Sequence, residues 1–431
     1  METWLFKDIW IVDPSTGREA RGDFCLHGGA VVPPSSVRVP DERVVSGDGL
    51  VLVPAFIDLH VHLREPGNEA AETVLSGARA AARGGFGTVL AMPNTQPPCD
   101  TPEEVRVLQR RADAAGLIRV LPSACVTRGR AGRELADLPA LAAAGAAAYT
   151  DDGAVVADAH LLRRAMALAR QAGRPILEHA LDPLLAGDGV VHAGDRAALA
   201  GLPGIPSAAE TAIVARDIGL AAETGCALHI QHVSARESIP LLREAAVRGL
   251  SVSAEATPHH LALSDADVDP DDARYKMNPP LRSPADRAAL VQAVADGTIR
   301  VLATDHAPHT AADKARGFLR APFGVVGLET AVGVTYTVLV ASGRMSLLEW
   351  VRRWTTGPAA VLGLPPPALG EGAPATCAVL DLRTPWRVRS ADFVSHSRNT
   401  PFEGMRAQGR ALWTFCAGRR VWGPAARAAR P

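Results

Sequence analysis

His60-Val61-His62 places two histidines one residue apart at the end of an apolar run. In an extended strand, residues i and i+2 project to the same side, so both imidazoles converge on one point. A single divalent cation accepts two such nitrogens, and histidine with carboxylate is the donor set expected of zinc in hydrolytic sites. Two histidines packed in a core layer are the alternative, and the pair alone does not separate the readings. Other positions do. His179 closes Ile-Leu-Glu-His, His232 closes His-Ile-Gln-His, and Asp305 closes Ala-Thr-Asp, each after an apolar stretch. Asn94 and Asp152 end two further stretches in the same way. Polar residues gathered at equivalent positions read as a constellation, because structural accident would scatter them. His160, His192 and His396 fall in helix or loop text and read as surface residues, while His229 and His259 lie on or near strands and carry no assigned chemistry.

The elements that must position these residues alternate in kind. Short apolar runs at 51–62, 88–94, 118–126, 146–152, 174–179, 227–232, 250–256 and 299–305 read as strands. Between them, Glu72–Arg83, Pro102–Ala115, Asp158–Ala172, Ser207–Thr224, Ala235–Arg248 and Pro284–Ala295 read as helices, several opening on Ser, Asp or Pro and ending near Gly. Eight βα repeats predict an α/β fold, a TIM-like (β/α)8 barrel, whose reactive residues stand at the C-terminal strand ends. Residues 1–50 differ in texture, with strand-like Trp4–Val12, Asp23–Leu26 and Ala30–Val32 between Gly, Pro and Ser turns. That texture returns after Pro365–Pro367, in Cys377–Leu382 and Ala411–Trp422. The expected organisation is therefore a small β domain from residues 1–50 plus 365–431, flanking a barrel over 51–364. Gly423–Pro431 reads as a frayed tail.

Composition narrows the partners. The chain has 431 residues, 47% hydrophobic and 21% charged, as in soluble globular proteins. Its 45 Lys+Arg against 46 Asp+Glu leave no net field to attract a polyanion, so neither nucleic acid nor an anionic membrane surface is expected as a partner. Six scattered cysteines with no C-x-x-C pair argue against a thiolate zinc site and a disulfide framework, and read as thiols of a cytoplasmic protein. Lys7 and Asp8 interrupt the only early apolar stretch, so no signal peptide is expected. The most membrane-like segment, Phe323–Gly343, contains Glu329 and several Gly and Thr, and reads as a barrel-packing helix.

Asp58-Leu-His-Val-His-Leu-Arg-Glu-Pro-Gly67, Met92-Pro-Asn94, Thr150-Asp-Asp-Gly153, Asn278-Pro-Pro280 and Thr304-Asp-His-Ala-Pro-His309 together resemble the amidohydrolase superfamily and, within it, the class I dihydroorotases. Ala321-Pro-Phe-Gly324, Gly327-Leu-Glu-Thr330 and Asn399-Thr-Pro-Phe402 are similar to further segments of that family, so the likeness runs in order from about residue 50 to 405. The resemblance implies two zinc ions per chain, with His60, His62 and Asp305 at one, His179 and His232 at the other, and Asp152 bridging. Many relatives bridge with a carboxylated lysine; no lysine lies near the fourth strand end here, and a carboxylate has two oxygens to offer two cations. Asp151 is the alternative bridge, which alignment by motif disfavours.

Two such metals lower the pKa of a shared water and polarise an amide carbonyl, and Asp305 is then suited to carry the proton. The implied reaction is the reversible cyclisation of N-carbamoyl-L-aspartate to (S)-dihydroorotate. Arg64, Asn94 and His309 are implied at the substrate carboxylate, with His62, Asn278, Phe323 and Gly324 around the ring. A salt bridge from Arg64 to Glu65 or Glu69 is the competing reading for that arginine. Association with an aspartate transcarbamoylase or a homo-oligomer is compatible with the resemblance.

Overall fold

The computed structural model describes residues 2–424. The chain opens with β1 (Thr3–Asp13), β2 (Arg18–His27), β3 (Ala30–Val32), β4 (Val44–Ser46) and β5 (Leu50–Pro54). The next eight-stranded sheet holds β6 (Phe56–Val61), β7 (Phe86–Ala91), β8 (Arg119–Ala124), β9 (Ala148–Tyr149) and β10 (Ile176–Glu178). After a separate parallel pair, β11 (Val191–His192) and β12 (Gly204–Ile205), it resumes with β13 (Leu228–Ile230), β14 (Val252–Ala256) and β15 (Val301–Leu302). Its pairs are all parallel, in the order of the chain. The sheet closes on itself where Val61 bridges His306 in parallel and His62 N donates to His306 O at 2.8 Å. This is the expected barrel.

Helices cover the outside, so β6 is buried along its whole length, as parallel strands with both faces packed must be. Helix Pro102–Ala115 starts under a Thr101 cap and stops at left-handed Gly116; Pro284–Ala295 starts with a Ser283–Asp286 capping box. Both have the ends their sequences predict. At the N-terminal end of β6, Phe56 packs against Phe86, Trp350 and Trp354 with centroids 5.5–6.1 Å apart. Trp350 and Trp354 lie one turn apart on one helix face, and Thr335 Oγ1 accepts from both buried indoles at 3.0 and 3.4 Å.

After the barrel, β16 (Cys377–Arg387), β17 (Arg406–Cys416) and β18 (Arg419–Trp422) return to the first sheet, whose order is β18-β17-β16-β5-β1-β2-β3 with β4 on β1. The sheet's own core is Trp4, Phe6, Trp413 and Phe415. Two sequence expectations change. The apolar run expected as one strand over 51–62 is two strands: Ala55 N donates to Thr376 O and Phe56 N to Gly85 O, so the chain leaves one sheet and enters the other at that residue. The helix expected over Phe323–Gly343 begins only at Ala331 and finishes as a π-helix over Tyr336–Ala341, leaving 323–330 as a loop toward the barrel mouth. All six cysteines are free, five of them buried. No helix among the described residues is long and apolar enough to cross a membrane. All but the first two residues of the tail expected at Gly423–Pro431 lie outside the described residues.

Candidate metal centre

The strand ends converge as their spacing requires. His60 lies on β6 and His62 just after it; Asp152 follows β9, His179 follows β10, His232 follows β13 and Asp305 follows β15. All six side chains are buried. Asp152 is central: its Oδ1 lies 3.1 Å from His60 Nε2, 3.6 Å from His179 Nδ1 and 3.9 Å from His232 Nε2, while Oδ2 lies 3.4 Å from His62 Nε2. Asp305 Oδ1 stands 3.1 Å from His62 Nε2 and 3.4 Å from His60 Nε2. Two groups emerge whose donor atoms all lie within 4.8 Å of one another, His60-Asp152-His232 and His60-His62-Asp305.

These residues fit divalent metal. His60 Nε2 and Asp152 Oδ1 are buried with no hydrogen-bond partner, a costly state for two polar atoms unless a cation satisfies both. The imidazoles pack too closely for all of them to be protonated, with centroids of His179 and His232 4.6 Å apart and of His60 and His232 5.1 Å apart. Burial, then the neighbouring His179 and His60, hold His232 well below the ordinary histidine range, which keeps its nitrogens available as ligands. Asp151 is differently employed: its Oδ1 accepts from Val126 N and Thr127 N at 2.9 and 3.1 Å, and Oδ2 from the Thr127 hydroxyl.

Supporting residues fix the imidazoles. Glu255, on β14, accepts from His60 Nδ1 at 2.8 Å and from His229 Nε2 at 3.0 Å. The bond at Nδ1 leaves His60 Nε2 to face the centre as a ligand. Burial would raise the Glu255 pKa, but the bonds from His229 and His60 prevail and bring it down to about 2. Asp58 ties the first strand to the last, accepting from Thr304 N at 3.0 Å, Thr304 Oγ1 at 2.6 Å and His60 N at 3.1 Å. Among the described residues, three of the six non-glycine residues with positive φ are Arg64, His232 and Asp305, so the disfavoured backbone concentrates here, where packing must hold it.

A cavity of about 170 Å³ opens above the centre. Eleven of the twelve sequence-predicted site residues line it, and the twelfth, His60, lies buried beneath. Their engagements refine the expectations. Arg64 makes no ion pair with Glu65 or Glu69; its Nε donates to Pro308 O at 3.1 Å and an Nη lies 3.3 Å from His309 Nε2. Burial lowers its pKa to about 10, against the pull of Asp305 and Asp152. Asn94 Oδ1 accepts from His62 Nδ1 at 2.9 Å, so it orients that imidazole. His309 Nε2 lies 2.7 Å from Phe323 O, to which it donates, and burial followed by Arg64 lowers its pKa to about 3. Asn278 Nδ2 stands 3.3 Å from His179 Nε2, while its buried Oδ1 has no partner. Gly324 has φ +134°, and a Cβ there would meet Ala307 Cβ at 2.7 Å and Ala307 O at 2.9 Å, so a side chain would push this wall apart.

Sequence reasoning missed Glu255 and the clamp at Asn399, whose Nδ2 donates to Ala307 O and Gly324 O at 3.0 Å and whose Oδ1 accepts from His309 N at 3.1 Å. Asn399 stands in a segment noted for its likeness to the family; Glu255, an acid inside a strand run, was a signal left unread. His192 is half-buried beside Arg282, whereas His160 and His396 are exposed as expected.

Comparison with known proteins agrees with this geometry. A Dihydro-orotase-like family model matches residues 49–238. The chain is 48% identical over 381 residues to a dihydroorotase of Geobacillus thermodenitrificans, covering 88% of this chain and 89% of that protein. It is 43% identical over 421 residues to a dihydroorotase of Bacillus licheniformis, covering 97% and 98%. Among solved structures, an L-hydantoinase from Arthrobacter aurescens superposes with TM-score 0.85 at 24% identity, covering 98% of this chain and 96% of that one. A dihydropyrimidinase from Brevibacillus agri gives TM-score 0.84 at 22% identity over 98% and 95%; at such identities these two establish a shared fold alone. Sequence identity approaching one half along nearly nine-tenths of both chains carries the further step, and the chain belongs to the dihydroorotase family.

Proposed function

We propose that this protein is a zinc-dependent dihydroorotase, interconverting N-carbamoyl-L-aspartate and (S)-dihydroorotate in pyrimidine biosynthesis. The observation that carries the reading is Asp152 at the centre of four imidazoles, with Arg64 over the same cavity. His60, His62 and Asp305 would hold one zinc ion, His179 and His232 the second, and Asp152 both. Because both Asp151 oxygens are already engaged, Asp152 is the better bridge. When bound, the two ions make a water nucleophilic near neutral pH and polarise the scissile carbonyl.

The remaining steps belong to the protein. Arg64 presents a guanidinium to the ring carboxylate, a charge-assisted contact that selects dihydroorotate over uncharged cyclic amides. Asn278 Oδ1, buried and unpartnered, suits a ring N–H, and the Phe323-Gly324 backbone borders the ring. Asn94 orients His62 and so acts on the carboxylate pocket indirectly; Pro308 O holds Arg64 at the mouth, while His309 donates to Phe323 O and borders the same pocket. Asp305 faces the imidazoles through Oδ1, which leaves Oδ2 to take the proton of the attacking water and deliver it to the departing ring nitrogen. In reverse the same carboxyl returns that proton as the ring closes and water leaves.

The chain is read as a barrel flanked by a small β domain from both termini, the break falling at Ala55, and as a cytoplasmic enzyme able to associate with copies of itself or a transcarbamoylase. Loss of dihydroorotate ultraviolet absorbance, followed with purified enzyme, tests the activity directly. Wild type should open the ring, and Asp305→Ala should retain no more than about one hundredth of the rate, as expected for loss of a general base. No turnover by metal-loaded wild type would refute the proposal.

A further inference from the structure

A cavity of about 410 Å³ near the terminal sheet shares no lining residue with the metal centre. It lies between the end of helix Val74–Gly84, the end of β16 and the middle of β17. Its size falls within the range of about 300–1,000 Å³ usual for small-molecule sites. Arg83, Arg387, Arg389 and Arg410 line it together with the indoles of Trp386 and Trp422. The chain as a whole is nearly neutral, whereas four guanidiniums against the two carboxylates of Glu329 and Asp392 leave this cavity a positive excess that the overall charge does not predict.

Two acids also line the cavity, and one is spoken for. Glu329 accepts from Val394 N, from Ser395 N and from Arg83, whose Nε lies 3.1 Å from it. Arg83 is further occupied by Asp392 O and by the face of Trp422, 5.4 Å from its guanidinium to the ring centroid. Arg387 donates to Gly404 O at 3.0 Å. The Arg389 and Arg410 side chains are exposed and make no hydrogen bond or close ion pair with any described residue; Glu403 and Asp381 lie within their fields but leave their donors free for an incoming anion.

We propose that this cavity binds a phosphorylated aromatic ligand of the nucleotide class. Arg387, Arg389 and Arg410 receive the phosphates, since forked guanidiniums match phosphate oxygens. Trp386, and Trp422 on the face that Arg83 does not cover, give the planar ring an apolar surface, and indole–base contact tolerates any base because each presents a π face. The site is separate from the reaction centre and does not depend on how the metals are used.

Calorimetric titration of the metal-loaded protein with ATP, UTP, uridine and inorganic tripolyphosphate tests this. Both nucleotides should bind, with uridine and tripolyphosphate each weaker because each lacks half of the recognition. Arg389→Glu/Arg410→Glu should weaken nucleotide binding at least about tenfold, the scale of one lost charge-assisted contact, with melting temperature and metal content unchanged. The milder Arg410→Gln, which keeps the side chain's bulk, should weaken it in the same direction, and Arg64→Ala should leave it intact. Four results would overturn the proposal: no nucleotide binding at millimolar concentration, binding that survives the charge reversal, binding lost in Arg64→Ala, or tripolyphosphate bound as tightly as the nucleotides.

Discussion

Asp152 and Asp151 are chemically identical neighbours whose surroundings give them different work. Asp152 faces four imidazoles, whereas Asp151 fastens the backbone of Val126 and Thr127. Elemental analysis of enzyme purified without chelator should find about two divalent ions per chain, since six donor residues exceed the roughly four that one zinc ion takes. Asp152→Ala should lose at least one of them, while Asp151→Asn should keep both and lose stability instead. Full metal content in Asp152→Ala would remove the bridge. Glu255 acts one bond further out, and Glu255→Ala should weaken metal affinity about 10- to 100-fold, as removal of a ligand-orienting partner usually does. Competition with a chromogenic chelator measures it, and unchanged affinity would leave Glu255 a purely structural acid.

The twelve predicted residues were legible because each closes an apolar run or stands in a motif. Their supporting bonds were not. Nothing local in the sequence says that Glu255 reaches His60, or that Asn94 spends its carbonyl on His62.

Among the elements, the barrel strands were the most legible, because eight apolar runs separated by capped helices admit few other arrangements. The split of 51–62 into β5 and β6 was not, since both halves are buried and a continuous apolar run carries no mark of where its hydrogen-bonding partner changes. The helix expected over Phe323–Gly343 failed for a related reason. Hydrophobicity there serves a loop packed over the site, and Gly324 at φ +134° and the close approach of Gly327 to Thr304 favour bends over a first helical turn. Phe56 begins β6 immediately after the split and anchors it in the aromatic cluster with Phe86, Trp350 and Trp354. Phe56→Ala should therefore cost about 3–5 kcal/mol of stability, the usual range for emptying a buried phenylalanine site. Urea unfolding followed by tryptophan fluorescence checks this. A loss below about 1 kcal/mol would mean that other contacts hold the barrel seam.

At the scale of the whole molecule, residues far apart in sequence build one cavity: Arg64, after the first barrel strand, donates to Pro308 O beyond the last, and Asn399, beyond the barrel, clamps His309 and Gly324 on the same wall. That both termini supply strands was readable from their shared texture. The pairing of β16 with β5 was not, because alternation of apolar residues marks a strand without naming its neighbour.

The fold shared with hydantoinases does not by itself choose the substrate, and the proposed function makes Arg64 the residue that would. Its contact with a ring carboxylate should be worth about 1.5–3 kcal/mol, so Arg64→Ala should lose about 10- to 150-fold in kcat/KM for dihydroorotate. Dihydrouracil has the same amide ring without the carboxylate. The most direct measurement is kcat/KM for both substrates on both proteins. The dihydroorotase reading predicts that wild type strongly prefers dihydroorotate and that Arg64→Ala erases most of that preference while leaving dihydrouracil turnover nearly unchanged. Equal turnover of the two substrates by wild type, or an equal loss on both in the variant, would contradict it.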